Sequence, residues 1–256
     1  MCELFGYSAE NEYEINDYLK TFFKRSPQHP NGWGLACMDG NEAVIEKEPI
    51  QATKSNYLKE RLKHPVLSKN VFGHIRYATV GNEEYGNCHP LSWKDASGRR
   101  WTVIHNGTIF DFDPLSRYIR VQEGTTDSER VLLYIIDKIN RTEEDDKKLS
   151  GRERFEILEC IIGNMAKGNK LNFMIYDGEY MYVHTNYKKS LYYLEKNGAV
   201  FFATEPLSGE EWKTVPFTRL LAYKNGKLIF TGKKHGNEYF DSEENMKFIF
   251  QNFSEL

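Results

Sequence analysis

Of the chain's six Asp-Gly or Asn-Gly pairs, four punctuate it between apolar stretches, at Asp39-Gly40, Asp177-Gly178, Asn197-Gly198 and Asn225-Gly226. Such pairs suit the φ > 0 positions of two-residue hairpin turns, which Gly reaches freely and Asn or Asp reach at low cost. The flanks agree: LNFMIY and YMYVHT surround one pair, LYYLEK and AVFFAT the next, RLLAY and KLIFTG the last. An antiparallel, meandering sheet system is predicted. Helical spacing interrupts it at INDYLKTFFK (15–24) and NYLKERL (56–62). SERVLLYIIDKIN (128–140) repeats apolar residues at 131, 132, 135, 136 and 139, with Thr126 or Asp127 placed to cap it. GRERFEILECIIGNMAKG (151–168) ends in glycine, and Asp241 followed by Glu244 opens a helix over ENMKFIFQNF. No repeat or Pro/Gly-rich linker divides the 256 residues, so one α+β domain is expected, sheets with helices packed on them.

Composition removes several classes of function. Hydrophobic residues at 40% suffice for a sizeable core, and 34 basic residues stand against 37 acidic ones. That balance argues against nucleic acid as the main partner. The mixed stretch TEEDDKK (142–148) reads as a solvated loop. No segment approaches the roughly 18 apolar residues of a spanning helix, and the acidic start is not a secretory signal. Cytoplasm, with free thiols and no membrane partner, is therefore expected. Cys2, Cys37, Cys88 and Cys160 show neither CxxC pairing nor His at metal-ligand spacing, so no metal is expected. Phosphate-loop, dinucleotide, zincin and hydrolase-elbow patterns are absent.

Four places could carry chemistry. Cys2 becomes the first residue if Met1 is trimmed, and would then own both a thiol and an α-amine that titrates near pH 8. Alone it reads better as a small apolar residue opening a strand. NVFGHIRYATVG (70–81) carries Arg76, a planar fork suited to a carboxylate or an ordinary surface cation. In WTVIHNGTIFD (101–111) a strand runs into Asn106-Gly107, where a side-chain amide and a backbone N–H could converge on an oxyanion. A hairpin turn is the plainer reading, weakened because no clear returning strand follows. EGTTDSERVLL (123–133) sets Asp127 at a helix start, to receive an ammonium or merely to cap.

Taken together and in order, MCELFG, GHIRYAT, HNG and TDSE resemble the glutaminase domain of class II glutamine amidotransferases, a branch of the N-terminal nucleophile hydrolases. The later ATEPLSGEEWKTVP (203–216) looks like the stand-alone branch, which includes hydrolases of γ-glutamyl compounds. The resemblance implies a four-layer αββα sandwich of two antiparallel sheets flanked by helices. It implies that Cys2 is the nucleophile, that Asn106 and Gly107 form the oxyanion hole, and that Arg76, Thr79 and Asp127 bind the α-amino acid head group. The implied reaction is cleavage of the side-chain amide of glutamine or a γ-glutamyl compound through a thioester, with no cofactor. The alternatives are a subunit delivering ammonia to a separate synthase partner, or a catalytically silent amino-acid-binding protein; the protein partner expected is a synthase or a second copy of the chain in a homo-oligomer. Val80 stands where many synthase-linked members have His, and no second domain is expected within these residues. Trp33 is expected in the core. Cys88, despite its neighbour His89, is expected to be structural or pocket-lining. His29, His64, His184 and His235 are expected at the surface.

Overall fold

A computed structural model describes residues 2–78, 81–143 and 148–254. Thr79, Val80 and residues 144–147 of the mixed TEEDDKK stretch lie outside the described residues. Seven strands form the first sheet: β1 (Glu3–Glu14), β2 (Trp33–Asp39), β3 (Glu42–Glu48), β4 (Leu67–Ile75), β9 (Tyr192–Lys196), β10 (Ala199–Ala203) and β11 (Lys213–Thr214). Their spatial order is β11-β9-β10-β1-β4-β2-β3. The second sheet holds β5 (Leu91–Lys94), β6 (Arg100–Thr108), β7 (Lys170–Tyr176), β8 (Met181–Thr185), β12 (Leu221–Lys224) and β13 (Lys227–Thr231), in the order β13-β12-β8-β7-β6-β5. Every pairing is antiparallel.

The helices are α1 (Asn16–Phe23), α2 (Asn56–Arg61), α3 (Asp127–Thr142), α4 (Gly151–Met165) and α5 (Glu243–Ser254). Three hydrophobic clusters mark the seams between four layers. Leu19, Phe22 and Leu58 of α1 and α2 pack on Phe5, Trp33 and Leu35 of the first sheet. Leu4, Phe72 and Phe202 meet Ile104, Met174 and Val183 between the sheets. Val103, Phe173 and Tyr182 meet Leu132, Ile135, Phe155 and Leu158 of α3 and α4. Leu4 and Phe5 thus serve opposite faces, as the two-residue period of a strand requires. β7, covered on both faces, buries all seven of its residues. The fold is the α+β sandwich that the sequence motifs implied.

Local chemistry sets the boundaries. Thr126 caps α3, accepting from the Glu129 N–H at 3.3 Å, and Ser150 with Glu153 forms a capping box at α4. Asn197-Gly198 and Asn225-Gly226 are two-residue turns, with φ of 53° and 75° in each pair. The first Asp-Gly pair slips by one residue, since Asp39 still pairs with Glu42 and the turn is Gly40-Asn41. Asp177-Gly178 opens a four-residue connection, in which Asp177 Oδ1 accepts from the N–H groups of Glu179 and Tyr180 at 2.9 and 2.7 Å. The C-terminal helix is capped by Ser242, which accepts from the Asn245 N–H at 3.1 Å. Asp241 accepts instead from the Tyr187 hydroxyl at 2.6 Å.

Two expectations about side chains need correction. His184 is fully buried, with Nδ1 3.0 Å from the Leu171 carbonyl and Nε2 3.0 Å from His235 Nε2, and burial pushes its pKa down to about 3. His29 and His235 are half-buried, leaving His64 alone of the four as an exposed side chain. Spacing along the chain carries no information about such contacts, because residues 171 and 184 meet through the pairing of β7 with β8 and residue 235 through the chain that follows β13. Trp33 is in the core as expected, its indole N–H donating to Glu48. Cys88 is buried beside the carbonyls of Glu48 and Glu84, while His89 turns to His74.

Candidate active site

Glu3 of β1 lies opposite Ile75 of β4, so the head of one strand meets the tail of the other. This sets Cys2 against Tyr77. The thiol sulfur accepts from the Tyr77 N–H at 3.3 Å and lies 3.4 Å from the Tyr77 carbonyl. The end of β6 reaches the same place, with His74 Nε2 3.2 Å from the His105 carbonyl. Cys2 and Asn106 consequently line one cavity of about 500 Å³, together with Gln28, His29, Ser190 and Thr204. That is the size range of a small-molecule site.

Asn106 is 5% exposed, and among the described residues its amide has no hydrogen-bond partner. A buried amide left unbonded costs free energy unless solvent or a ligand reaches it. Asn106 and Gly107 lie within β6, opposite Asn172 and Leu171 of β7, so Asn-Gly here is not a hairpin turn. Glycine is required at 107 for a reason the sequence did not disclose. A Cβ there would stand 1.9 Å from the Lys170 carbonyl oxygen and 2.4 Å from His105 Nε2.

Burial pushes the Cys2 thiol pKa up. The positive N-terminus, the Tyr77 N–H and the Arg76 guanidinium oppose that rise, and Asp127 adds to it. Both predicted head-group residues are thus electrostatic neighbours of the sulfur, although neither lines the Cys2 cavity. Arg76 is buried and donates to the main-chain carbonyls of Asn82 and Gly81 at 2.9 and 2.7 Å, which holds that turn beside the site. Asp127 is also buried and borders a second cavity of about 210 Å³ with Ile109 and Arg130. Its Oδ2 accepts from the Ile109 N–H at 2.8 Å. Ser128 Oγ donates to Asp127 Oδ1 at 3.3 Å and lies 3.0 Å from His105 Nδ1. Among the described residues no Lys or Arg is paired with the Asp127 carboxylate. Thr79 lies outside the described residues.

The chain belongs to the class-II glutamine amidotransferases. The model of that family matches residues 1–198. An uncharacterized protein of Methanocaldococcus jannaschii is 29% identical over 91% of this chain and 72% of its own length. The crystal structure of a predicted glutamine amidotransferase from Pseudomonas aeruginosa superposes with a TM-score of 0.67 at 22% identity, covering 90% of this chain and all of that one. The glutamine phosphoribosylpyrophosphate amidotransferase of B. subtilis, complexed with ADP and GMP, gives 0.65 at 19% identity over 92% of this chain but 49% of that one. These two structures share the fold of this chain.

Several residues around the amidotransferase cavity escaped sequence reasoning. Glu3 of β1, Tyr192 at the head of β9 and Thr204 just after β10 line it from the first sheet's side, and Tyr187 and Ser190 line it from the loop after β8. Lys170 opens β7 and is only 3% exposed. The one sequence signal for it was a lysine heading a run otherwise apolar enough to be buried on both faces. Among the described residues no three His, Cys, Asp or Glu side chains are grouped to hold a metal, and no helix is long and apolar enough to cross a membrane.

Proposed function

We propose that the protein is an amidohydrolase that cleaves the side-chain amide of glutamine or a γ-glutamyl compound through a γ-glutamyl thioester on Cys2. The observation that carries this reading is the unbonded Asn106 amide lining the same cavity as the Cys2 thiol. Removal of Met1 would expose the Cys2 amine, which takes the thiol proton directly or through a water. The thiolate adds to the δ-carbonyl. Asn106 Nδ2 and the Gly107 N–H receive the oxyanion, one such donor being worth about 2.7–4 kcal/mol in the transition state. Collapse expels ammonia or a larger amine, which departs with the proton held by the α-amine. Water then hydrolyses the thioester, giving glutamate and the free thiol. Asp127, buried without a basic partner among the described residues, supplies the negative charge for the α-ammonium, and Arg76 the positive charge for the α-carboxylate. Thr79 belongs to the same loop as Arg76.

A resting thiol raised by burial needs that base. Glutamate release by untagged protein, offered L-glutamine and γ-glutamyl peptides beside a Cys2→Ala control, tests the proposal. Turnover lost in the control supports it. Release only after a second protein is added identifies a subunit feeding a separate synthase. Tight glutamine binding without turnover in either case identifies a silent binding protein.

A further inference from the structure

Lys170 is a buried cation that the proposed mechanism does not use. It stands at the head of β7, opposite Thr108 and one residue from the Gly107–Leu171 pair. Its carbonyl faces His105 Nε2 at 3.2 Å and is the atom that forces glycine at 107. Its Nζ lies 3.8 Å from the centre of the Tyr187 ring and 5.9 Å from that of Tyr239. Tyr187 itself lines the Cys2 cavity, and its hydroxyl donates to Asp241. The charge therefore sits against the wall of the cavity, held face-on by an aromatic ring.

We propose that Lys170 is a positioning residue of the Cys2 centre, its Tyr187-clamped ammonium supplying a positive charge that favours the Cys2 thiolate. The proposal rests on the reading of Cys2 as nucleophile. Among the described residues, the titratable and charged groups that face Lys170 include Cys2 at the head of β1, His105 of β6, Tyr187 after β8, and Tyr239 and Asp241 before α5. Burial lowers the Lys170 pKa to about 8, while Asp241 and Cys2 support its charge. Lys170 is only 3% exposed, so water has little access to its ammonium. A lysine serving only as packing between Tyr187 and Tyr239 would do the same work with its charge removed. This separates the two roles.

The test is the pH dependence of Cys2 alkylation by iodoacetamide in Met1-free protein, with the label mapped by peptide mass spectrometry. Four proteins are compared: wild type, Lys170→Met, Lys170→Arg and Asp241→Asn. The Cys2 profile of Lys170→Met is expected to shift to higher pH, with labelling at pH 7.5 slowed by about threefold or more. Lys170→Arg restores it, because the charge and the ring contact both survive. Asp241→Asn, an exposed change, reproduces a smaller slowing above pH 8 by weakening the support of the Lys170 charge. Superimposable profiles for wild type and Lys170→Met overturn the proposal while leaving Cys2 reactive. If Lys170→Met does not fold, an unchanged Asp241→Asn profile overturns it. A wild-type Cys2 that stays unlabelled while the exposed Cys160 reacts overturns both the proposal and the nucleophile reading.

Discussion

The molecule buries an Arg and an Asp in each of two places, and the two pairs are wired differently. Arg154 and Asp177 are paired with each other at 2.7 Å. The same guanidinium also reaches Glu179 at 2.6 Å and the Leu149 carbonyl at 2.7 Å. Asp177 additionally takes the Tyr182 hydroxyl and two backbone N–H groups. This knot ties α4 to the β7–β8 connection and consumes its own charge. Arg76 and Asp127 are buried to a similar degree, 3% and 6% exposed against 1% and 0%. Yet the Arg76 bonds described above go to main-chain carbonyls, and among the described residues Asp127 has no basic side chain paired with it. A buried charge without a counter-charge is costly unless something supplies one. The first pair is spent on the fold; under the proposed function, Asp127 receives the α-ammonium of the ligand and Arg76 stands toward its α-carboxylate.

The comparison can be broken at several points. Cys2→Ala should abolish glutamate release, a fall on the order of 10⁴-fold or more, with the melting temperature near wild type. A residual rate within tenfold of wild type would remove Cys2 from the chemistry. Asp177→Ala should leave Arg154 buried with its main counter-charge gone and lower stability by about 3–5 kcal/mol. Urea denaturation would read this as a lower midpoint at constant slope, and an unchanged midpoint would show that the knot is not structural. Asn106→Ala should reduce kcat by about 10²–10³-fold with little change in KM. A change confined to KM would place Asn106 in ground-state binding instead.

Asp127→Asn should spare stability, because it removes a carboxylate without a basic partner. It should raise KM for glutamine by about 10–100-fold, the value of a lost charge-assisted contact. Stability loss matching that of Asp177→Ala would erase the distinction between the two regions. The most gradual effect belongs to pH. Burial lowers His74 and His184 to about 3 from an ordinary value of 6.5. A depressed folded pKa means that the unfolded chain takes the proton first. The stabilising contribution is therefore complete above pH 6.5 and is lost as pH falls toward 3, at up to about 1.4 kcal/mol per unit for each histidine. His184→Gln should flatten the fall of the melting temperature with acidification; an unaltered slope would mean that His184 is protonated in the folded state.

Sequence reasoning reached the elements and the motif residues because both depend on short range. The Asn197-Gly198 and Asn225-Gly226 turns follow from backbone sterics at two adjacent positions, and α3 follows from a period repeated over three turns of helix. Where a neighbour in sequence had to be distinguished from a neighbour in space, it fell short. It assigned the C-terminal cap to Asp241, although Ser242 caps that helix and Asp241 belongs to Tyr187. It placed His184 outside, although strand pairing brings His184 to Leu171 and the returning chain brings it His235.

By itself, then, the sequence determined the antiparallel meander, the helices between its strands, and the family, since each is written in local pattern or ordered motifs. Only the tertiary structure decided that Cys2 lies against Tyr77, that among the described residues the Asn106 amide has no hydrogen-bond partner, and that a lysine 168 positions from Cys2 in sequence packs on the Tyr187 ring that lines the Cys2 cavity. The physical reason is that burial and charge act through space. A residue's hydrogen-bonding and electrostatic surroundings are set by what the layers press against it, and two stacked sheets bring together segments that no spacing along the chain connects.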